Sequence, residues 1–168
     1  MKNLLVLCTG NSARSILGEA LINDMSNGRV KAYSAGSDPK GKVHSASIKL
    51  LDVKGIDTSL FRSKSWDEFS VSGAPKLDIV ITVCDSAGSE TCPVWIGAPV
   101  QAHWGIADPA VVDDAGQTQA FDLAYEQMHE RISKLLSLSL ESLSNDELKE
   151  ALDLIGQQST GATDMAKK

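Results

Sequence analysis

Asn3-Leu4-Leu5-Val6-Leu7-Cys8-Thr9-Gly10-Asn11-Ser12-Ala13-Arg14-Ser15 runs from an apolar segment of strand length directly into a helical pattern. Ile16, Leu17, Ala20, Leu21 and Met25 recur at helical spacing, so Ser15 to Met25 is predicted to be a helix that ends at Asn27-Gly28. A strand, a Gly-containing turn and an amphipathic helix in that order open an α/β domain. Five residues separate Cys8 from Arg14. That spacing lets the backbone curl into a cradle whose N–H groups face a tetrahedral oxyanion, with the helix dipole adding partial positive charge at the same place. Thr9, Gly10, Asn11, Ser12, Ala13, Arg14 and Ser15 form the expected oxyanion-binding set, and the planar fork of Arg14 can grip two oxygens at once. Gly10 permits φ > 0, and Asn11 tolerates it while hydrogen-bonding across the loop. The same field is expected to hold Cys8 as a thiolate nucleophile, with the Ser15 hydroxyl donating to its sulfur. The bland alternative is a buried Cys before an ordinary strand-to-helix turn. A Cys and an Arg at this spacing occur by chance; the flanking strand and helix, with Gly, Asn and Ser between, favour the functional reading.

Outward from this loop the strand and helix patterns alternate. Val30 to Ser34 reads as a second strand closed by Ala35-Gly36, and Ser45 to Val53 as a helix stopped by Gly55. Asp78 to Val83 is a β-branched, buried strand, and Pro99 to His103 a fourth. Gln117 to Leu138 is the longest helix, with Phe121, Ala124, Met128, Ile132, Leu135 and Leu136 as its apolar stripe. Leu143 to Ile155 is a short final helix stopped by Gly156. The expectation is α/β: a four-stranded parallel sheet flanked by helices. Functional residues of such sheets gather at the carboxyl ends of the strands. Cys8 ends strand one, Ser34 strand two and Cys84 strand three, and Asp108 lies just past strand four, so all four share one rim.

The 168 residues suit a single domain over 1–156, followed by a small, polar, disordered tail over 157–168. A net charge of −6 argues against a nucleic-acid partner but not against an anionic substrate, because backbone N–H groups and one Arg make a local anion site. No apolar run approaches the ~20 residues of a membrane span, and no signal-peptide pattern opens the chain, so a cytoplasmic location is the expectation. Three cysteines, Cys8, Cys84 and Cys92, are too few and odd in number for a secreted disulfide framework. None of their spacings suits zinc, so no metal site is expected from them. Trp95 and Trp104 read as core and His103 as a structural histidine; His44 and His129 carry no signal.

Cys8 to Ser15 resembles the anion loop of the low-molecular-weight tyrosine phosphatase fold, and is more similar to that of the arsenate reductases on that fold. Tyr33-Ser34-Ala35-Gly36, Val83-Cys84, Cys92-Pro93, His103-Trp104-Gly105 and Asp108-Pro109 also resemble arsenate reductase segments. The resemblance runs in order over residues 3 to 156 and implies a flavodoxin-like, three-layer arrangement. It implies an enzyme that reduces arsenate to arsenite in arsenic detoxification, with no bound cofactor and an external thiol reductant. In this chemistry the Cys8 thiolate attacks arsenic, a second thiolate attacks the Cys8 sulfur, arsenite leaves and a disulfide forms.

Family roles then attach to particular residues. The cysteine matching Cys84 is the resolving thiol; by itself Cys84 could be a small buried hydrophobe at a strand end. In thioredoxin-coupled relatives a third Cys carries the disulfide to the surface. Cys92 stands in that place, in a Gly- and Ser-containing stretch, but after a longer gap than usual. It could instead be where glutathione or glutaredoxin acts, or an inert loop Cys. Asp108, before Pro109, matches the general acid that protonates a leaving oxygen; alone it could be a simple Asp-Pro turn. Residues matching Asn11, Glu19, Ser34 and Asp67 bind potassium in some relatives, though the register at Asp67 differs. The alternative function is a low-molecular-weight protein tyrosine phosphatase, a hydrolase that needs no second thiol. It would be expected to carry an aromatic pair beside its substrate slot, whereas Ala110-Val111-Val112 follows Pro109 here.

Overall fold

A computed structural model of the chain describes residues 1–83, 95, 97 and 99–157. Four strands, β1 (Lys2–Cys8), β2 (Val30–Gly36), β3 (Ile79–Thr82) and β4 (Val100–His103), form one sheet in the order β2-β1-β3-β4. Every neighbouring pair is parallel. The helices are α1 (Arg14–Met25), α2 (Ser45–Val53), α3 (Asp114–Leu136) and α4 (Asn145–Gln157). Short 3₁₀ turns occupy Trp66–Phe69 and Pro109–Val111. The expected four-stranded parallel α/β architecture is the one observed.

Leu4 to Cys8 are all buried, as a central parallel strand covered on both faces requires. Their alternation splits the core. Leu4, Val6 and Cys8 join Ile16, Leu21, Met128, Ile132 and Leu152 on the helical face. Leu5 and Leu7 join Phe69, Leu77, Val80 and Trp95 on the other. The central strand thereby holds Cys8 at its carboxyl end between two packed layers.

Three element boundaries near the site and its packing depart from expectation. β2 runs on through Ala35 and Gly36, and its last rung pairs Cys8 with Gly36. Ser34 therefore lies inside the strand rather than at its end. α3 starts three residues early, because the Asp113 carboxylate accepts the Gly116 N–H at 3.3 Å and caps the helix there. Gly156 does not stop α4, which continues through Gln157, the first residue of the expected tail. The rest of that tail lies outside the described residues.

Gly156 has a packing role instead. A Cβ there would lie 2.6 Å from the His103 carbonyl oxygen and 2.7 Å from Cδ1 of Trp104. The α4 backbone thus rides directly on the end of β4, and Trp104 Nε1 donates to the Leu152 carbonyl oxygen at 3.0 Å. Gly156→Ala is expected to lower the melting temperature. Overpacking costs about 1–3 kcal/mol, and backbone atoms yield least, which outweighs the ~1 kcal/mol that Ala gains over Gly in a helix. Thermal unfolding followed by circular dichroism checks this.

Candidate active site

The loop between β1 and α1 is held from outside by its carbonyl groups. Thr9 O accepts the Asp38 N–H at 2.9 Å. Gly10 O accepts the Lys40 N–H at 3.0 Å and the Ser63 hydroxyl at 3.1 Å. Ser12 O accepts the His44 N–H at 3.0 Å and the Ser47 hydroxyl at 2.9 Å. With the carbonyls turned outward, the amides of Gly10, Asn11, Ser12 and Ala13 have no acceptor among the described residues. α1 adds the open donors of its first turn, since Ala13 at its N-cap makes no side-chain cap and no acidic residue follows in that turn. A ring of unmatched donors at a helix N-terminus is what a tetrahedral anion needs.

Asn11 is the loop's internal brace. It is fully buried and takes the left-handed conformation at φ 46°. Of the two residues expected to allow positive φ, Gly10 and Asn11, Asn11 takes it, and its short amide side chain offsets the cost by hydrogen bonding. Asn11 Nδ2 donates to Ser15 Oγ at 2.8 Å, and its Oδ1 accepts the Lys64 N–H at 2.9 Å. Gly36 makes this geometry possible. A Cβ at Gly36 would stand 2.3 Å from the Thr9 carbonyl oxygen, so only glycine lets the loop pass over the end of β2.

Cys8 lies at the base of the loop, only 4% exposed. Arg14, the first residue of α1, reaches the loop after β4. Its Nη1 donates to the Ile106 carbonyl oxygen at 2.9 Å, and its Nη2 lies 3.4 Å from Oδ2 of Asp108. Its Nε is buried and without a partner among the described residues. The Nε–Nη2 edge is thus an oriented pair of donors with one position unused, a bidentate grip awaiting two oxygens. Asp108 adopts the extended conformation that Pro109 imposes, φ −75° and ψ 111°. Its Oδ1 accepts the Ala110 N–H at 2.9 Å, which leaves Oδ2 toward Arg14. The structure therefore brings Cys8, the loop amides, Arg14 and Asp108 to one rim. Cys84 and Cys92 lie outside the described residues.

Behind the loop, the Ser34 hydroxyl donates to Glu19 Oε1. Burial pushes the Glu19 carboxyl above the usual carboxylate range, opposed by that hydrogen bond and by the nearby charge of Lys64. Burial also lowers the Lys64 ammonium, while Glu19 acts to raise it. Asn11, Ser34 and Glu19 therefore share one region with a lysine as their neighbouring cation. Asp67 stands exposed in the 3₁₀ turn, its carboxylate without a hydrogen bond or ion pair among the described residues. No group of three His, Cys, Asp or Glu side chains able to hold a metal occurs among the described residues.

Several residues with structural parts in the site were not foreseen. Gly36 is legible in the sequence as the close of strand two and as part of the Tyr33-Ser34-Ala35-Gly36 segment, neither of which shows its contact with Thr9, and Lys64 carries no signal. His44, read as silent, caps α2 by accepting the Ala46 N–H on Nδ1 at 3.0 Å, which orients the segment that holds Ser12. His103 is exposed on β4, its Nδ1 2.7 Å from Oγ1 of Thr82. Trp95 and Trp104 are core.

A parallel sheet with a Cys-to-Arg oxyanion loop after its central strand and an Asp-Pro loop facing it defines a class of thiol-dependent oxyanion enzymes. The low molecular weight phosphotyrosine protein phosphatase family matches residues 3–154, and the chain belongs to that family. Similar relatives include the arsenate reductase of Bacillus subtilis (strain 168), 34% identical over 66% of this chain and 77% of the relative. The glutaredoxin arsenate reductase of Synechocystis is 27% identical over 82% of this chain and 98% of the relative. Among solved structures, that of an arsenate reductase from Archaeoglobus fulgidus is similar with a TM-score of 0.63 and 27% identity, covering 80% of this chain and 99% of the other. No helix among the described residues is long and apolar enough to cross a membrane.

Proposed function

We propose that the protein is a cytoplasmic arsenate reductase of arsenic detoxification. The observation that carries the reading is the buried Arg14 Nε, without a partner among the described residues, beside the open loop amides, with Asp108 next to Nη2 of the same guanidinium and Cys8 at the base of the loop. Arsenate binds in the loop, its oxygens taken by the amides and Arg14. The Cys8 thiolate attacks arsenic; a sulfur–arsenic bond forms and an arsenic–oxygen bond breaks. Asp108 gives its proton to the departing oxygen, which leaves as water. The Cys84 thiolate then attacks the Cys8 sulfur. The sulfur–arsenic bond breaks with its electron pair going to arsenic, so As(V) becomes As(III), arsenite departs and a Cys8–Cys84 disulfide remains. A thiol protein reduces that disulfide, with Cys92 passing it outward.

Relatives named arsenate reductase support the reading over hydrolysis, as do the two further cysteines and the absence of an aromatic pair in Ala110-Val111-Val112. The Synechocystis relative, named a glutaredoxin arsenate reductase, supports glutaredoxin as the donor. A potassium ion held by Asn11, Glu19, Ser34 and Asp67 is a lesser part of the proposal; the convergence of the first three supports it, while Lys64 already sets a positive charge beside Glu19.

Steady-state arsenite production with glutaredoxin plus glutathione, and separately with thioredoxin plus its reductase, tests the donor. We expect turnover in the glutaredoxin arm, and a fall of about tenfold or more for Cys92→Ser there. Full activity of Cys92→Ser in that arm would remove the relay, and turnover with thioredoxin alone would reverse the choice of donor.

A further inference from the structure

Arg131 occupies a place where the sequence pattern calls for an apolar residue. Phe121, Ala124, Met128, Arg131 and Leu135 follow one another at helical spacing along the buried stripe of α3. Arg131 is 7% exposed. Its Nη1 donates to the Gly105 carbonyl oxygen at 3.2 Å, and its Nε is buried and has no partner among the described residues. Among those residues it has no carboxylate within salt-bridge distance. A buried guanidinium served by one carbonyl is an expensive way to fill a core position; an apolar side chain of similar length would cost less. Burial accordingly depresses its basicity, opposed only by the charge of Glu130.

What Arg131 holds gives this arrangement a use. Gly105 and Ile106 are consecutive residues of the segment that leads from β4 to Asp108. Arg131 takes the carbonyl of the first and Arg14 the carbonyl of the second. The Ile106 N–H is fixed to the Val83 carbonyl oxygen at 3.0 Å, so this short segment is pinned at its amide by the residue that follows β3 and at its carbonyls by two arginines. Arg14 also faces the oxyanion site, so its grip is shared with substrate. Arg131 comes from the opposite side, out of the core, and has no other hydrogen-bonding duty among the described residues.

We propose that Arg131 is a positioning residue for proton donation: through Gly105 it fixes the segment that sets Asp108 against Arg14, and it acts on the chemical step rather than on oxyanion binding. The inference rests on the reading of Asp108 as the general acid. It also predicts an inverse relation between stability and rate, because the residue is kept at a cost to the core.

The experiment uses the full chain as wild type, Arg131→Met, Arg131→Lys, Asp108→Asn and the Arg131→Met/Asp108→Asn pair. The readouts are the first-turnover rate of arsenite formation, the Kd of inorganic phosphate and the melting temperature. Arg131→Met should form arsenite about tenfold more slowly, part of the 10²–10⁴ that a well-placed acid supplies. Its phosphate Kd should stay within about twofold of wild type and its melting temperature should be equal or higher. Arg131→Lys, which can still donate to Gly105, should recover part of the rate. Adding Arg131→Met to Asp108→Asn should cost nothing further, because both act through one proton. An unchanged rate in Arg131→Met beside a slowed Asp108→Asn would overturn the inference, as would full additivity in the pair or a loss of phosphate binding in step with the rate. An Asp108→Asn protein of full activity would instead remove the acid role, and the positioning role with it.

Discussion

Cys8→Ser is expected to abolish arsenate reduction while leaving the oxyanion site intact. Serine is nearly isosteric with cysteine, so the buried base of the loop keeps its packing. The donors that face the anion belong to the loop backbone and Arg14, and none of them is altered. Inorganic phosphate should therefore bind with an affinity close to that of wild type. The hydroxyl, however, is not ionised at neutral pH and cannot end as a disulfide, so both the attack on arsenic and the electron transfer to it are lost. The rate should fall by roughly 10⁴-fold or more, on the scale seen when a covalent nucleophile is removed. Isothermal titration with phosphate and an arsenite assay on the same preparation separate the two effects. Measurable arsenite turnover by Cys8→Ser would mean that another thiol makes the first attack.

Gly36→Ala should be the most damaging glycine-to-alanine change among the described residues. The added Cβ would stand 2.3 Å from Thr9 O, 3.0 Å from Thr9 C and 3.1 Å from Asn11 Cβ. None of these is the far end of a flexible chain. The backbone of Gly36 cannot easily withdraw, because its N–H is bonded to the Lys64 carbonyl oxygen at 2.9 Å and its strand is paired with β1 up to Cys8. The loop must move, and with it the inward amides. A displacement of the order of 1 Å in a positioning element costs about 10²-fold in rate, and the overpacking itself about 1–3 kcal/mol of stability. We expect kcat/KM for arsenate to drop by about two orders of magnitude, with phosphate affinity falling in parallel. In this respect Gly36→Ala and Cys8→Ser are complementary: one damages binding and rate together, the other rate alone. Phosphate affinity and kcat/KM both unchanged in Gly36→Ala would show that the loop is not set by this contact.

The parts of the site that were legible in the sequence are local ones. The Cys8-to-Arg14 loop lies within one strand-turn-helix unit, so its spacing speaks for itself. Asp108 was legible because Pro109 fixes the backbone before it, and because the carboxyl ends of parallel strands gather on one rim. The parts that were not legible depend on contacts between distant segments. Gly36 looks like an ordinary strand terminus until Thr9 is seen to pass over it. Lys64 acts on Asn11 through a backbone amide, which any residue type supplies, and on Glu19 through a charge that sequence spacing cannot register. Gly156 reads as a helix stop because glycine is the commonest C-terminal signal; only the approach of β4 to the helix backbone gives its other use. Arg131 did leave a trace, as a charge in an apolar stripe. The Gly105 carbonyl that it meets lies 26 residues away in the sequence, which no local spacing registers.

The loop from Cys8 to Arg14 supports a thiolate nucleophile for any tetrahedral oxyanion, and a hydrolase would use it equally well. What separates reduction from hydrolysis is the fate of the sulfur. The most direct test is to add arsenate to the fully reduced protein with no external reductant, and to count arsenite released and thiols lost. A reductase of the kind proposed yields about one arsenite per chain and loses two thiols, recovered by peptide mapping as a disulfide of Cys84 with Cys8 or, once passed on, with Cys92, after which turnover stops until a thiol donor is supplied. An unchanged thiol count with no arsenite formed, in a protein that hydrolyses an aryl phosphate through repeated turnovers, would contradict it.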